Sequence, residues 1–377
     1  MKTSATTSTA AVLAALAIPA IAEEHIPKPP PEPIRIEITE APLEYDVIHA
    51  ETSYWMAALP EFAVLTQPRS LSILRAGGDA PEPAGTLLQI PGEIDYFGIA
   101  RAVEGRILVS VGSYDEEQRR REAATPRGGF IAGPKPAGIL VITANPPAVE
   151  WIKSCRVIHW PEPDEQDKGI AGPAPDTIIP ALQDARIIDG KLHIADYGRS
   201  GILDLNDHTW HGLDVDWGMQ LSRIGPIKHP GGRMFLGYDE GGMAGGVLNW
   251  FDGAKRGHLS TDPGMAPNEM LGFGDRIFVT TDYGLAEIAD PGGDAVLRHF
   301  VDPGGKSPIF DAFGLAKHRD MLWVASVKHL LRFDPAKNTA TLHQLPEGTE
   351  FYRLCSFDGH IHALGPDNLA RIKLPEH

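Results

Sequence analysis

Residues 181–216 read ALQDARII-DG-KLHIA-DYGRS-GILDL-ND-HTWHGLDVD. An apolar run meets Asp189-Gly190, a second run follows, a polar loop leads to a third run opened by Gly201, and Asn206-Asp207 introduces a fourth. Short apolar runs bounded by Gly, Asp and Asn read as strands. Asp-Gly between two of them reads as a hairpin turn, because both residues tolerate positive φ. The stretch is therefore predicted to be one four-stranded antiparallel unit, ordered inner, second, third and outer strand.

The unit recurs along the chain. Third strands are read at Ser70-Leu-Ser-Ile-Leu, Gly138-Ile-Leu-Val-Ile, Gly201-Ile-Leu-Asp-Leu, Gly246-Val-Leu-Asn-Trp, Gly284-Leu-Ala-Glu-Ile, His329-Leu-Leu-Arg-Phe and Asn368-Leu-Ala-Arg-Ile. Second strands follow turns at Glu104-Gly105, Asp189-Gly190, Gly231-Gly232, Asp275, Asp320 and Asp358-Gly359. A period of roughly 40–45 residues is that of a propeller blade, which cannot bury its two faces alone and needs a neighbour on each side. The fold class predicted is all-β, a seven-bladed β-propeller. Eight blades would require two units between Ile107 and Leu192, but that interval holds one third strand and one outer strand, read at 149–157. The last unit, 351–374, supplies only three strands. Residues 34–39 (IRIEIT) alternate apolar and polar, and they are expected to be the N-terminal strand that closes the last blade and removes its open edge.

This pattern of inner strand, Asp-Gly turn, aliphatic strand and aliphatic strand ending in Asp resembles the secreted propellers of the NHL, YVTN and SMP-30/gluconolactonase kinds. The likeness runs over nearly all of residues 34–377. SMP-30-like lactonases and paraoxonase-like esterases have six blades and hold a divalent metal in the channel with Glu, Asn and Asp. The resemblance thus implies an alternative activity here, a calcium-dependent hydrolase or lactonase, with Asn268-Glu269 and Asp311 placed where inner strands begin.

Lys2, the apolar run over 10–18 and the small-x-small site Ala20-Ile21-Ala22 make residues 1–22 a signal peptide. A Pro-rich linker follows over 23–33, then a single propeller domain over 34–377. The apolar run is too short to span a bilayer, so a periplasmic or secreted protein with no membrane insertion is expected. The formal net charge of −16 repels phosphate backbones, which removes nucleic acid and anionic membrane as partners. The two cysteines, Cys155 and Cys355, fall on an outer strand of the second blade and an inner strand of the seventh, too far apart to pair. No Cys-x-x-Cys-His, Gly-x-Ser-x-Gly or phosphate-loop motif occurs, so covalent haem, serine-hydrolase and nucleotide chemistry have no support.

The functional face is expected where two insertions, 114–136 and 159–180, emerge together. The first carries Asp115, Glu116 and Glu117 followed by Arg119, Arg120 and Arg121. Long loops in a compact domain carry function or are disordered. Three second strands end there on acid-and-tyrosine pairs that could bind a polar ligand: Asp196 and Tyr197, Tyr238 and Asp239, Asp282 and Tyr283. At the strand starts Asp95, Glu269, Asp311 and Glu350 form a candidate calcium set, since hard oxygen donors suit that ion. His360 and His362 share one face of a strand. The function expected is binding of a small polar ligand or another exported protein, with enzymatic activity left open.

Overall fold

Seven short strands lie against one another in a closed circuit: Trp55–Ala58, Tyr96–Val103, Asp184–Ile188, Ser222–Lys228, Pro267–Phe273, Ala312–His318 and Arg353–Phe357. Each touches the next, and the seventh touches the first. The computed structural model describes residues 31–50, 53–114, 135–160, 174–196, 199–213, 222–239, 246–253, 255–259 and 266–374. Residues 32–377 form one compact unit. From each inner strand an antiparallel sheet runs outward in chain order, so the seven-bladed β-propeller predicted from the repeat is the fold. The predicted third strands are all present in this role.

The turns that start each hairpin have the backbone their residues suggest. Asp189 and Gly190 both have positive φ, as do Glu104 with Gly105 and Asp358 with Gly359. Two successive positive-φ residues twist with the flanking strands rather than splaying them. At the opening of the third strands glycine has a second use. A Cβ on Gly201 would stand 2.3 Å from the Trp210 ring, so the indole can lie flat across the sheet only because that position is bare.

Second strands are apolar on both faces because each sheet is covered on both sides. Phe62–Gln67 (FAVLTQ) is buried through its first five residues. Between blades two and three, Leu108, Ile139 and Ile152 pack with Ala185, Ile194 and Trp210. Between blades five and six, Phe278, Phe300 and Phe333 meet within 6.0 Å of one another.

The ring closes differently from the sequence expectation. The strand completing the seventh blade is Tyr45–His49, antiparallel to Leu369–Ile372, and not residues 34–39. Those residues run ahead of it as a strap. Ile34–Arg35 adds in parallel to the outer edge of the fifth blade and Glu37–Glu40 to that of the sixth. The alternation read as one outer strand is two short edge strands hinged at Ile36, which is 2% exposed, donates its N–H to Val301 and packs with Phe300 and Phe333. The outer strand expected at 149–157 divides in the same way. Pro147–Ile152 ends the second blade, while Cys155–His159 pairs in parallel with the outer strand of the third. Cys155 thus belongs to blade three, not blade two. Cys155 and Cys355 form no disulfide.

Among the described residues four histidines are buried: His193, His318, His343 and His362. Burial holds His193 and His362 down to about 4, against a usual value near 6.5. Between pH 6.5 and 4 the unfolded chain binds protons that the folded chain refuses, so stability falls as pH is lowered through that window. Neither ring nitrogen of His362 has a hydrogen-bond partner among the described residues. His362→Phe is expected to flatten part of this fall, read as a smaller loss in urea midpoint between pH 7 and pH 4.5. Ile36→Ala should cost about 2–5 kcal/mol, the range for truncating a buried aliphatic to alanine, measured by equilibrium denaturation.

Candidate functional site

The inner strands place polar side chains in the channel, and these hold one another. Asp184 on blade three has no exposed surface. Its Oδ1 accepts from Arg101 of blade two at 2.7 Å, from Arg186 at 2.5 Å and from the Ala185 N–H, and its Oδ2 accepts from the Gly225 N–H of blade four at 2.8 Å. Burial alone would raise its pKa. Arg186, Arg101 and the two N–H groups outweigh this and hold the carboxyl below its ordinary value.

The chain of contacts continues around the ring. Arg186 donates to the Met270 carbonyl of blade five at 3.1 Å. Glu269, on the same strand as Met270, accepts from the Leu315 N–H of blade six at 2.8 Å. Arg353 of blade seven donates to the Phe313 carbonyl of blade six at 3.4 Å. The Trp55 ring of blade one takes the guanidinium groups of Arg101 and Arg353 at 4.4 and 4.2 Å, a favourable cation–π geometry. Every blade is joined to this network. Cys355, beside it, is pushed up to about 12 by burial and by Glu269, so it stays a thiol and is a poor nucleophile.

Above the network, on the face where the two insertions emerge, lies a cleft of about 660 Å³. Its walls are Tyr54, Trp55, Pro68, Tyr96, Ile99, Val111, Tyr114, Pro136 and Leu182, with Ser110 and Gln183 as polar side chains. Tyr114 and Pro136 are the stems of the first insertion, and Ala181 to Gln183 follow the second. Residues 115–134 and 161–173 themselves lie outside the described residues. Tyr96 and Tyr114 meet edge to face at 6.0 Å. Gln183 is 7% exposed, and its Nε2 has no hydrogen-bond partner among the described residues. A second cleft of about 370 Å³ opens on the opposite face between blades two and three, lined by hairpin-turn residues including Glu104, Lys191 and Asp204.

The sequence-predicted residues are distributed around the insertion-bearing face. Asp282 accepts from Asn268 at 3.2 Å, and its carbonyl accepts from the Asp311 N–H. Tyr283 is exposed. Asp196 and Asp239 end the second strands of blades three and four, and Tyr238 precedes Asp239. The side chains of these three, and all of Tyr197, lie outside what is described. In the proposed calcium set, Asp95 accepts from the Tyr114 N–H at 3.0 Å. Glu350 accepts from the Tyr352 hydroxyl, which is thereby pushed up to about 12. Asp311 is exposed with φ of 50°. Among the described residues no three His, Cys, Asp or Glu side chains gather to hold a metal ion.

Sequence reasoning passed over Asp184, Arg101, Arg186, Arg353, Trp55, Tyr54, Tyr96 and Gln183. A charged residue inside an inner-strand run, as in LQDARII, was the available signal, because a charge on a strand packed between neighbouring blades needs a partner.

No family model matches the chain, and none of the curated proteins matches it. Solved structures do. YCF48 bound to D1 peptide superposes with a TM-score of 0.56 at 13% identity, over 93% of this chain and 100% of that one. The virginiamycin B lyase from Staphylococcus aureus with quinupristin gives 0.54 at 12%, over 88% and 99%. The WD40 propeller domain of Doa1 gives 0.54 at 8%, over 88% and 96%. At these identities the likeness is one of fold, and it is to β-propellers throughout.

Asp184→Asn is expected to leave Arg101 and Arg186 without their shared counter-charge. The loss should be about 3–5 kcal/mol, as for other broken buried pairs, read from the guanidinium unfolding midpoint. Because the folded carboxyl titrates below the unfolded value, its contribution is present above pH 3.8 and fades as pH falls further. The wild type should therefore approach the variant in stability at strongly acid pH.

Proposed function

We propose that this chain is an exported binding protein that takes a ligand or a segment of a partner into the aromatic cleft on its insertion-bearing face. The observation that carries the proposal is Gln183, whose buried Nε2 has no hydrogen-bond partner among the described residues and which stands in the wall of the cleft of about 660 Å³. Leaving such a group unpaired costs about 1–3 kcal/mol. A ligand that accepts from it recovers that energy on binding.

The surroundings fit the same reading. Binding pockets are concave and mostly apolar, with a few placed polar groups, and range over about 300–1,000 Å³. Tyr54 and Trp55 supply large contact area at small entropic cost. The channel network fixes Trp55 from below, so the wall is ordered before a ligand arrives, which lowers the cost of binding. Two solved propellers of like fold are named with a bound D1 peptide and with quinupristin, so such a ring can hold a guest. Export rests on residues 1–22. Among the described residues no helix is long and apolar enough to cross a membrane. The rim residues Asp282 and Tyr283, with Asp196, Tyr197, Tyr238 and Asp239, would meet the part of a partner that extends beyond the cleft.

A thermal-shift screen of small polar compounds and peptides against the purified protein tests the assignment. Hits should lose about tenfold or more in affinity with Tyr54→Ala, which removes an aromatic anchor. They should keep full affinity with Lys191→Ala on the opposite face. Hits insensitive to Tyr54 and sensitive to Lys191 would move the site to the other cleft. Asp282→Ala should weaken only the larger guests.

A further inference from the structure

The chemistry of the walls selects among guests. Three observations are independent of one another. Among the described residues no charged side chain lines the cleft. Its buried polar atom without a hydrogen-bond partner among the described residues, Gln183 Nε2, is a donor. The remaining walls are mostly aromatic rings, prolines and aliphatic side chains, among them Pro68, Pro136, Ile99, Val111 and Leu182.

From these we infer that the natural occupant is an extended, proline-containing peptide segment of a partner protein, uncharged or basic, docked against Tyr54, Trp55 and Tyr96 with a backbone carbonyl on Gln183. The inference rests on the binding role proposed above and gives that role its substrate class.

A proline peptide group accepts hydrogen bonds and donates none. A polyproline II segment needs no partner for internal backbone bonds, keeps its carbonyls outward and enters a site with little conformational freedom left to lose. Its pyrrolidine rings match aromatic walls, the pairing used by aromatic-lined grooves that read Pro-rich ligands. An oligosaccharide presents the opposite problem. Each hydroxyl both donates and accepts, and the polar groups here, on Ser110, Gln183 and the hydroxyls of Tyr54, Tyr96 and Tyr114, are fewer than the hydroxyls of a sugar chain, which would be left partly unpaired at the cost that attaches to any buried unsatisfied group. Acidic guests are disfavoured by the chain's net charge of −16, which instead favours encounter with a neutral or basic segment.

The test is isothermal titration of the whole purified protein with three probes: a synthetic polyproline peptide, the same peptide with every second proline replaced by alanine, and cellohexaose. The polyproline peptide should bind, and the alanine-substituted one more weakly. Tyr54→Ala should reduce polyproline affinity by about tenfold or more. Gln183→Leu, which keeps the shape and removes the donor, should reduce it roughly three- to tenfold, the equivalent of one hydrogen bond, while leaving the melting temperature unchanged or higher. Circular dichroism on both variants separates lost binding from lost folding. Cellohexaose binding in the cleft, with no polyproline binding, would overturn the peptide assignment and leave the binding role standing. Polyproline binding indifferent to Tyr54 and Gln183 would overturn the assignment as well. Silence from all three probes would also overturn it, and only a failed ligand screen of the kind above would then remove the binding role itself.

Discussion

A single carboxylate without access to solvent sets the terms for the centre of this molecule. Asp184 cannot be buried unless its charge is met, and the groups that meet it come from three blades: Arg101, Arg186 with the Ala185 N–H, and the Gly225 N–H. Apolar packing between blades is non-directional and could be satisfied by small rotations of one sheet on the next. Hydrogen bonds to a fixed carboxylate could not. The network through Arg186, Glu269, Arg353 and Trp55 therefore does for the angular register of the blades what the inter-blade clusters cannot do alone. Buried ionic groups add little net stability when compared with apolar replacements. Their contribution here is geometric.

That geometry bears directly on the cleft. Gln183 precedes Asp184 on the same inner-strand approach, and Trp55 belongs to both the network and the cleft wall. The floor of the cleft is thus mounted on the most constrained part of the ring, while Tyr54 at its mouth is 48% exposed. A rigid base with an accessible edge is the arrangement in which a small number of contacts can be selective.

The repeat was legible because blade geometry writes itself locally. Asp-Gly turns, glycine at the head of the third strand and apolar runs at a fixed period each answer a demand that a blade makes of a few neighbouring residues. Closure was only half legible. Alternation in residues 34–39 marks an edge strand, but nothing within those six residues says which edge, since Ile36 is buried by Phe300 and Phe333, some 260 to 300 residues along the chain. The site was least legible for the same reason. Acid-and-tyrosine pairs attract notice as motifs, whereas Arg101, Asp184 and Arg353 acquire their meaning only when the ring brings residues 101, 184 and 353 to one axis. Tyr54 and Gln183 stand at strand starts where any residue type is allowed, and only the shape of the cleft distinguishes them.

The strap has a temporal consequence. Residues 34–49 leave the ribosome before any strand they will pair with, yet their partners are the outer strands of blades five and six and the strand Leu369–Ile372 of blade seven. Until Leu369–Ile372 exists, Tyr45–His49 has no edge to lie on and the incomplete ring keeps two raw sides. Pairings this distant in sequence are slow to form and expose unpaired strands while they are awaited. Pairing Tyr45–His49 with Leu369–Ile372 makes the arrival of that late strand the condition for a closed ring, so loss of residues 369–372 would also release the strand at 45–49.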